Sequence, residues 1–339
     1  MKNMKRNRSL RPKGFIVGMS RSGTKWMSMC LNQHPEVAVF GETGFWGKDF
    51  IQPQEGGLSP SQCKAVLQRM PGIRSQRRDE NGILHVEGQA TPVGAEVGGL
   101  VKLFKPLAQK IQARRERVPP RELFGRMCAV VSATEEKPYV IEKTPHHVNW
   151  MERITDAYPN ARFIVMYREP YGFMRSYKHQ GNRKKERIKK QYKKLYHPLG
   201  CSIVYRGYAK SIAKAKSEYP DKTLLVELGD IKKGGAKIIN KVCNFLNIPF
   251  SGQCVLPKLN TSFPREKKDI GETDMRWMNL IAGREIEKIG FELEKSSVSP
   301  AKMLKSASSI PYWGMNVWRH IKNRQNYSTV KYVKKWLHL

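Results

Sequence analysis

Three short segments, far apart in a chain of 339 residues, each place a charged side chain where an apolar, strand-like run stops. The first runs Phe15-Ile16-Val17-Gly18 and then Met19-Ser20-Arg21-Ser22-Gly23-Thr24-Lys25-Trp26, turning through small residues into a helix-like stretch. The second is Tyr139-Val140-Ile141-Glu142-Lys143-Thr144-Pro145. The third is Arg162-Phe163-Ile164-Val165-Met166-Tyr167-Arg168-Glu169-Pro170, with Ser176 eight residues after Arg168. In parallel α/β sheets ligands bind outside the carboxyl ends of strands, so basic groups at three such ends suit an anionic ligand.

The first segment reads as a phosphate-binding loop. Glycine and small residues let the backbone approach an anion, and the helix that follows presents unpaired N–H groups and a positive dipole end. Ser22 and Thr24 add hydroxyl donors. The nucleotide-triphosphate motif needs Gly-Lys followed by Ser or Thr, whereas here Gly23-Thr24-Lys25 inverts the last two. Kinases and ATPases also need acidic residues to hold magnesium, and no apolar strand here ends in a suitably placed Asp. The loop therefore reads as an anion site that works without a metal.

With these residues assembled, the chain resembles the sulfotransferases that use 3′-phosphoadenosine 5′-phosphosulfate. Arg21-Ser22-Gly23-Thr24, followed by Leu31, His34-Pro35 and Gly41-Glu42, looks like their 5′-phosphosulfate loop and first helix, in the Arg-Ser-Gly-Thr branch of bacterial and tyrosylprotein-type enzymes. Arg168 and Pro170 with Ser176 look like their 3′-phosphate site. The likeness continues in Thr223 to Asp230 and Val242 to Phe250, and covers roughly residues 13 to 295. It implies that Ser22, Gly23, Thr24, Lys25 and Trp26 join Arg21, Arg168 and Ser176 in holding the donor, which is a co-substrate. It implies Glu42 as general base, and Lys143 and Arg21 as the cations that offset charge on the departing phosphate. Lys25 stands where a second Thr or Ser is common, and Glu169 where Asp or Asn is common.

Each assignment has a plainer competitor. Glu42 can be a surface acid at a strand end, in which case His85 or His179 becomes the next candidate base. Lys143 can neutralise Glu142, and Arg168 can pair with Glu169 or Asp156. The tandem His146-His147 lacks partners at ligand spacing and reads as surface or capping. Trp26, Met29 and Cys30 fall on one helical face and are most simply core.

Strand-like runs at 14 to 18, 37 to 40, 138 to 143, 162 to 167 and 223 to 228 alternate with helix-length stretches. The alternation predicts an α/β, P-loop-like three-layer fold with a central, mostly parallel sheet. The chain is expected to carry a basic flexible arm at 1–13, one α/β domain at 14–295 and a basic aromatic tail at 296–339. Residues 52–118, punctuated by paired glycines and Pro71-Gly72, read as a variable acceptor-binding insertion. Pro119-Pro120 opens a helix to about Ala133.

Six cysteines without a Cys-x-x-Cys pair point to reduced thiols and a cytoplasmic setting. No apolar run approaches a membrane span, and the basic start lacks the apolar core of a secretory signal. The formal charge is +33, from 62 Lys and Arg against 29 acids. Much of it lies at 183 to 194, which reads equally as a field steering a polyanionic acceptor, such as an acidic glycan, and as a solvated basic face. The rival classes are a nucleotide-dependent kinase and a basic nucleic-acid or membrane-binding module on a degenerate P-loop scaffold. No nucleic-acid-reading motif is visible. The tail's Trp and Tyr residues, interleaved with cations, suit either an anionic membrane interface or packing on the domain. Asn316, Asn323 and Asn326 interrupt its apolar face and favour packing.

Overall fold

The computed structural model describes residues 11–47, 50–68, 99–180, 186–255 and 269–322. The first strand, β1 (Gly14–Gly18), leads into α1 (Thr24–Asn32), and β2 (Val37–Gly41) follows. Then come α2 (Pro60–Gln68), α3 (Gly99–Ala113), α4 (Pro120–Glu135) and β3 (Tyr139–Lys143). A 3-10 turn at Pro145–Trp150 runs into α5 (Met151–Ala157), β4 (Phe163–Tyr167) and α6 (Pro170–Lys178). Next are α7 (Glu186–Leu195), α8 (Pro198–Glu218), β5 (Thr223–Glu227) and α9 (Leu228–Leu246). The last are α10 (Glu272–Lys288), α11 (Pro300–Ser308) and α12 (Ile310–Lys322).

These elements fall into two compact units, one of residues 1–167 and 219–258, the other of 168–218 and 259–339. The first holds a five-stranded, wholly parallel sheet in the order β2-β3-β1-β4-β5. All five predicted strands are present, within a residue or so of their expected ends.

Strand residues alternate between the faces of a sheet, and here both faces are covered, as parallel sheets require. One face carries Ile16, Val39, Ile141, Ile164 and Met166 against Met27, Cys30 and Leu31 of α1 and Ile239, Val242 and Leu246 of α9. The other carries Phe15, Phe40 and Phe163. Phe124 of α4 lies 5.9 Å from the Phe15 ring and 6.0 Å from that of Phe40. Sheet and two helical layers make the expected three-layer sandwich. Pro120 starts α4 at its first turn, where its missing N–H costs nothing.

The second unit is helical. Phe173 of α6 meets Tyr205 and Tyr208 of α8 edge-on at 5.1 and 6.3 Å. Asp274, near the start of α10, accepts from Lys178 at 2.6 Å, Tyr196 at 2.9 Å and the Gly271 N–H at 3.0 Å. Helix α12 packs here through Trp313, whose Nε1 donates to the Leu195 carbonyl at 3.1 Å. That portion of the tail therefore docks on protein, while 323–339 lie outside the described residues.

Candidate active site

The loop after β1 has features that suit an anion. Arg21 takes a positive φ of 68°, and Gly23, with φ 86°, caps α1 without a side-chain hydrogen bond. No acidic residue stands in the first turn of α1, so the positive end of its dipole suits a negative partner. Ser22 is fully buried, and its Oγ has no hydrogen-bond partner, a costly state unless a ligand completes it. Thr24 is buried and Lys25 exposed. Trp26 is half-buried against the α1/α9 core, and its buried Nε1 is likewise without a partner. These features fit a phosphosulfate.

Glu42 and Lys143, 101 residues apart, meet at the carboxyl ends of neighbouring strands. Lys143 Nζ donates to Glu42 Oε1 at 2.5 Å; the lysine side chain is 2% exposed, the glutamate 43%. Gly41 permits this arrangement, because a Cβ there would sit 2.0 Å from the Lys143 carbonyl oxygen. The result is a buried ammonium holding a carboxylate whose other side faces solvent. Such a carboxylate is oriented yet accessible, as a general base must be. Sequence placed each residue at a strand end but did not foresee the contact between them.

Arg168 and Ser176 belong to the second unit. Arg168 immediately follows β4, is 8% exposed, and holds its backbone oxygen on the Tyr205 hydroxyl at 2.9 Å. Its Nη2 lies over Gly172, where a Cβ would come within 2.6 Å. Gly172 and Ser176 are one turn apart on the same stripe of α6, so the guanidinium and the buried Ser176 share that stripe. Glu169 has a local duty: its carboxylate caps α6, accepting the Gly172 N–H at 2.5 Å. Its Oε1 also lies 3.5 Å from Arg168 Nε.

The reading of His147 as surface or capping is corrected. It is fully buried, with Nδ1 3.0 Å from Glu142 Oε2. Glu142, which sequence treated as a neighbour for Lys143 to neutralise, is also fully buried. Burial alone pushes its carboxyl upward, but the electrostatic influence of the adjacent His147 and hydrogen bonds from His147, Thr144 and Thr43 outweigh it, and its pKa is lowered. His179 follows α6 in the second unit, and His85 lies outside the described residues. Of the basic 183 to 194 stretch, 183–185 also lie outside them, while Lys190, Lys193 and Lys194 of α7 are exposed.

A family model described as the sulfotransferase family matches residues 12–252. Among solved structures, the chain is similar to the sulfotransferase domain of the olefin synthase of Synechococcus PCC 7002, at 16% identity and a TM-score of 0.50. That match covers 84% of this chain and 96% of that one, and bears on the fold. A sulfotransferase from Alicyclobacillus acidocaldarius matches at 16% identity and a TM-score of 0.45, over 82% of this chain and 94% of the other. No match to a curated protein was found.

Proposed function

The chain belongs to the sulfotransferase family, and from that premise we propose that it moves a sulfonate from 3′-phosphoadenosine 5′-phosphosulfate to a hydroxyl or amine by in-line transfer. The observation that carries this reading is the Lys143–Glu42 pair: a buried ammonium and a half-exposed carboxylate at adjacent strand ends. The donor supplies a sulfonate already activated by its link to phosphate. Glu42 takes the acceptor's proton as the new bond to sulfur forms. Arg21 and Lys143 offset the charge that grows on the bridging oxygen as the bond from sulfur to phosphate breaks. Ser22, Gly23, Thr24 and Lys25 hold the 5′ end through backbone N–H groups and hydroxyls, with Trp26 beside them, and Arg168 and Ser176 hold the 3′-phosphate. This reading takes 14–295 as the transferase domain and 52–118 as its acceptor-binding part.

Calorimetric titration with adenosine 3′,5′-bisphosphate in the absence of magnesium tests the donor. Binding is expected, and its failure would sink the reading in favour of a kinase or a binding module. Arg168→Ala and Ser176→Ala should each weaken that binding, the arginine more because its bond is charge-assisted. Adenosine 5′-phosphate should bind both variants as it binds the parent. Equal losses for the two nucleotides would remove these residues from the 3′-phosphate site.

The acceptor class we propose is polyanionic, such as an acidic glycan, supported by the +33 formal charge and the exposed lysines of α7. Lys190→Glu, Lys193→Glu and Lys194→Glu together should slow transfer to an anionic acceptor and flatten its salt dependence. Unchanged kinetics would leave α7 a solvated face. No helix among the described residues is long and apolar enough to cross a membrane. All six cysteines are buried, and burial pushes the Cys254 thiol up to about 12. Such unreactive, core-forming thiols suit the cytoplasmic setting we assign, with an anionic membrane surface as a further docking partner for the basic tail.

A further inference from the structure

We propose that Glu142 is a positioning residue for sulfonate transfer, fixing from beneath the sheet the two strand ends that carry Glu42 and Lys143. The proposal rests on the reading of that pair as base and cation.

Alternation along β3 sends Lys143 to one face of the sheet and Glu142 to the other. Glu142 shares its register with Phe15 of β1 and Phe40 of β2, and so enters the aromatic layer beneath α4. A carboxylate buried there is costly unless every oxygen is satisfied, and both are. Oε1 accepts the hydroxyls of Thr43 at 2.9 Å and Thr144 at 2.5 Å, and Oε2 meets His147 Nδ1 at 3.0 Å.

The identity of the donors gives the network its meaning. Thr43 directly follows Glu42, and Thr144 directly follows Lys143. One carboxylate oxygen thus gathers the residues next to both members of the pair. The threonines extend the grip. Thr43 Oγ1 accepts the Phe45 N–H at 3.2 Å, and Thr144 Oγ1 accepts that of Gly44 at 3.4 Å. The turn after β2 is therefore tied to the end of β3 by side chains where the backbone ladder has stopped at Gly41 and Lys143.

His147 makes its side-chain bond only to this carboxylate, since its Nε2 is buried without a partner. A core filler at position 142 would be apolar. A fully bonded acid gives up packing but holds the strand ends in one arrangement, and small errors in placing reacting groups are expensive in rate.

Thr43→Val is the primary test, because it removes the hydroxyl that bonds Glu142 and accepts the Phe45 N–H, while Glu142 keeps Thr144 and His147. Rates are measured with the phosphosulfate donor and whichever of 2-naphthol, unsulfated chondroitin and glucosamine the parent turns over fastest. We expect kcat to fall about tenfold or more, KM to stay within about twofold, and calorimetric affinity for adenosine 3′,5′-bisphosphate to be unchanged. Thr43→Ser should restore kcat. In a Glu42→Gln background, Thr43→Val should cost little more, since both changes act through the same group.

Should Thr43→Val prove too unstable to assay, Glu142→Gln, which keeps the volume, takes its place with the same expectations. A folded variant with parental kcat and only a lowered melting temperature overturns the proposal, as does full additivity with Glu42→Gln. Loss of the base reading is distinguishable: there, Glu42→Gln itself transfers at the parental rate.

Discussion

Glu42→Gln is expected to fold, to bind adenosine 3′,5′-bisphosphate as the parent does, and to transfer sulfonate about a hundredfold or more slowly, the usual loss for a positioned general base. The amide keeps the size of the side chain, and its oxygen can still accept from Lys143 Nζ, which now bonds Glu42 at 2.5 Å. What it lacks is a basic lone pair for the acceptor's proton. An acceptor with an already acidic hydroxyl, such as a nitrophenol, should recover part of the loss because it needs less help to ionise. Steady-state rates with a weakly and a strongly acidic phenol decide the matter. A parental rate for Glu42→Gln with both would mean that the base is another group.

Lys143→Met is expected to lose about a hundredfold or more in kcat, the scale seen when one preorganised charge-stabilising donor is removed. Methionine is the informative substitution because Lys143 is fully buried. Its flexible apolar stem refills most of the space, where alanine would leave a cavity. The glutamate left behind is 43% exposed, so its charge can turn to water rather than stand unpaired in the interior. The two defects separate by acceptor. Changing to an acidic phenol should not rescue Lys143→Met, because the missing stabilisation belongs to the departing phosphate. Equal rescue of both variants would assign Lys143 to orienting Glu42 alone.

How far these groups could be read from the chain depends on the range of the interaction. The five strands were legible because each is a short apolar run bounded by Gly, Pro or charge, the inner ones buried on both faces and β5 fully on one. The turn from strand to helix at Arg21 to Thr24 was legible because its small residues are contiguous. The Lys143–Glu42 contact was not, since it requires β2 and β3 to be neighbours although the 52–118 region and α4 separate them. Glu142 and His147 were misjudged for a related reason. Their spacing of five residues crosses from a strand through a turn into a 3-10 helix, so neither period of regular structure relates them. Conversely, Glu169 had a readable role, for an acid directly before a Pro that opens a helix can cap it, although it first appeared only as a pairing partner for Arg168 and a departure from the expected Asp or Asn.

The strand order β2-β3-β1-β4-β5 also bears on how such a protein can diversify. The loop proposed to hold the donor issues from β1, in the middle of the sheet, where any shift must be accepted by partners on both sides. Glu42 directly follows β2, a margin with one partner, and the chain runs on from it toward residues 52–118. Lengthening or exchanging that excursion leaves the ladder of the inner strands intact. Under the proposed assignments, selection for a new acceptor can rewrite the border of the sheet while the donor grip at its centre is inherited unchanged, and a chimera grafted between residues 50 and 118 would be the laboratory version of that history.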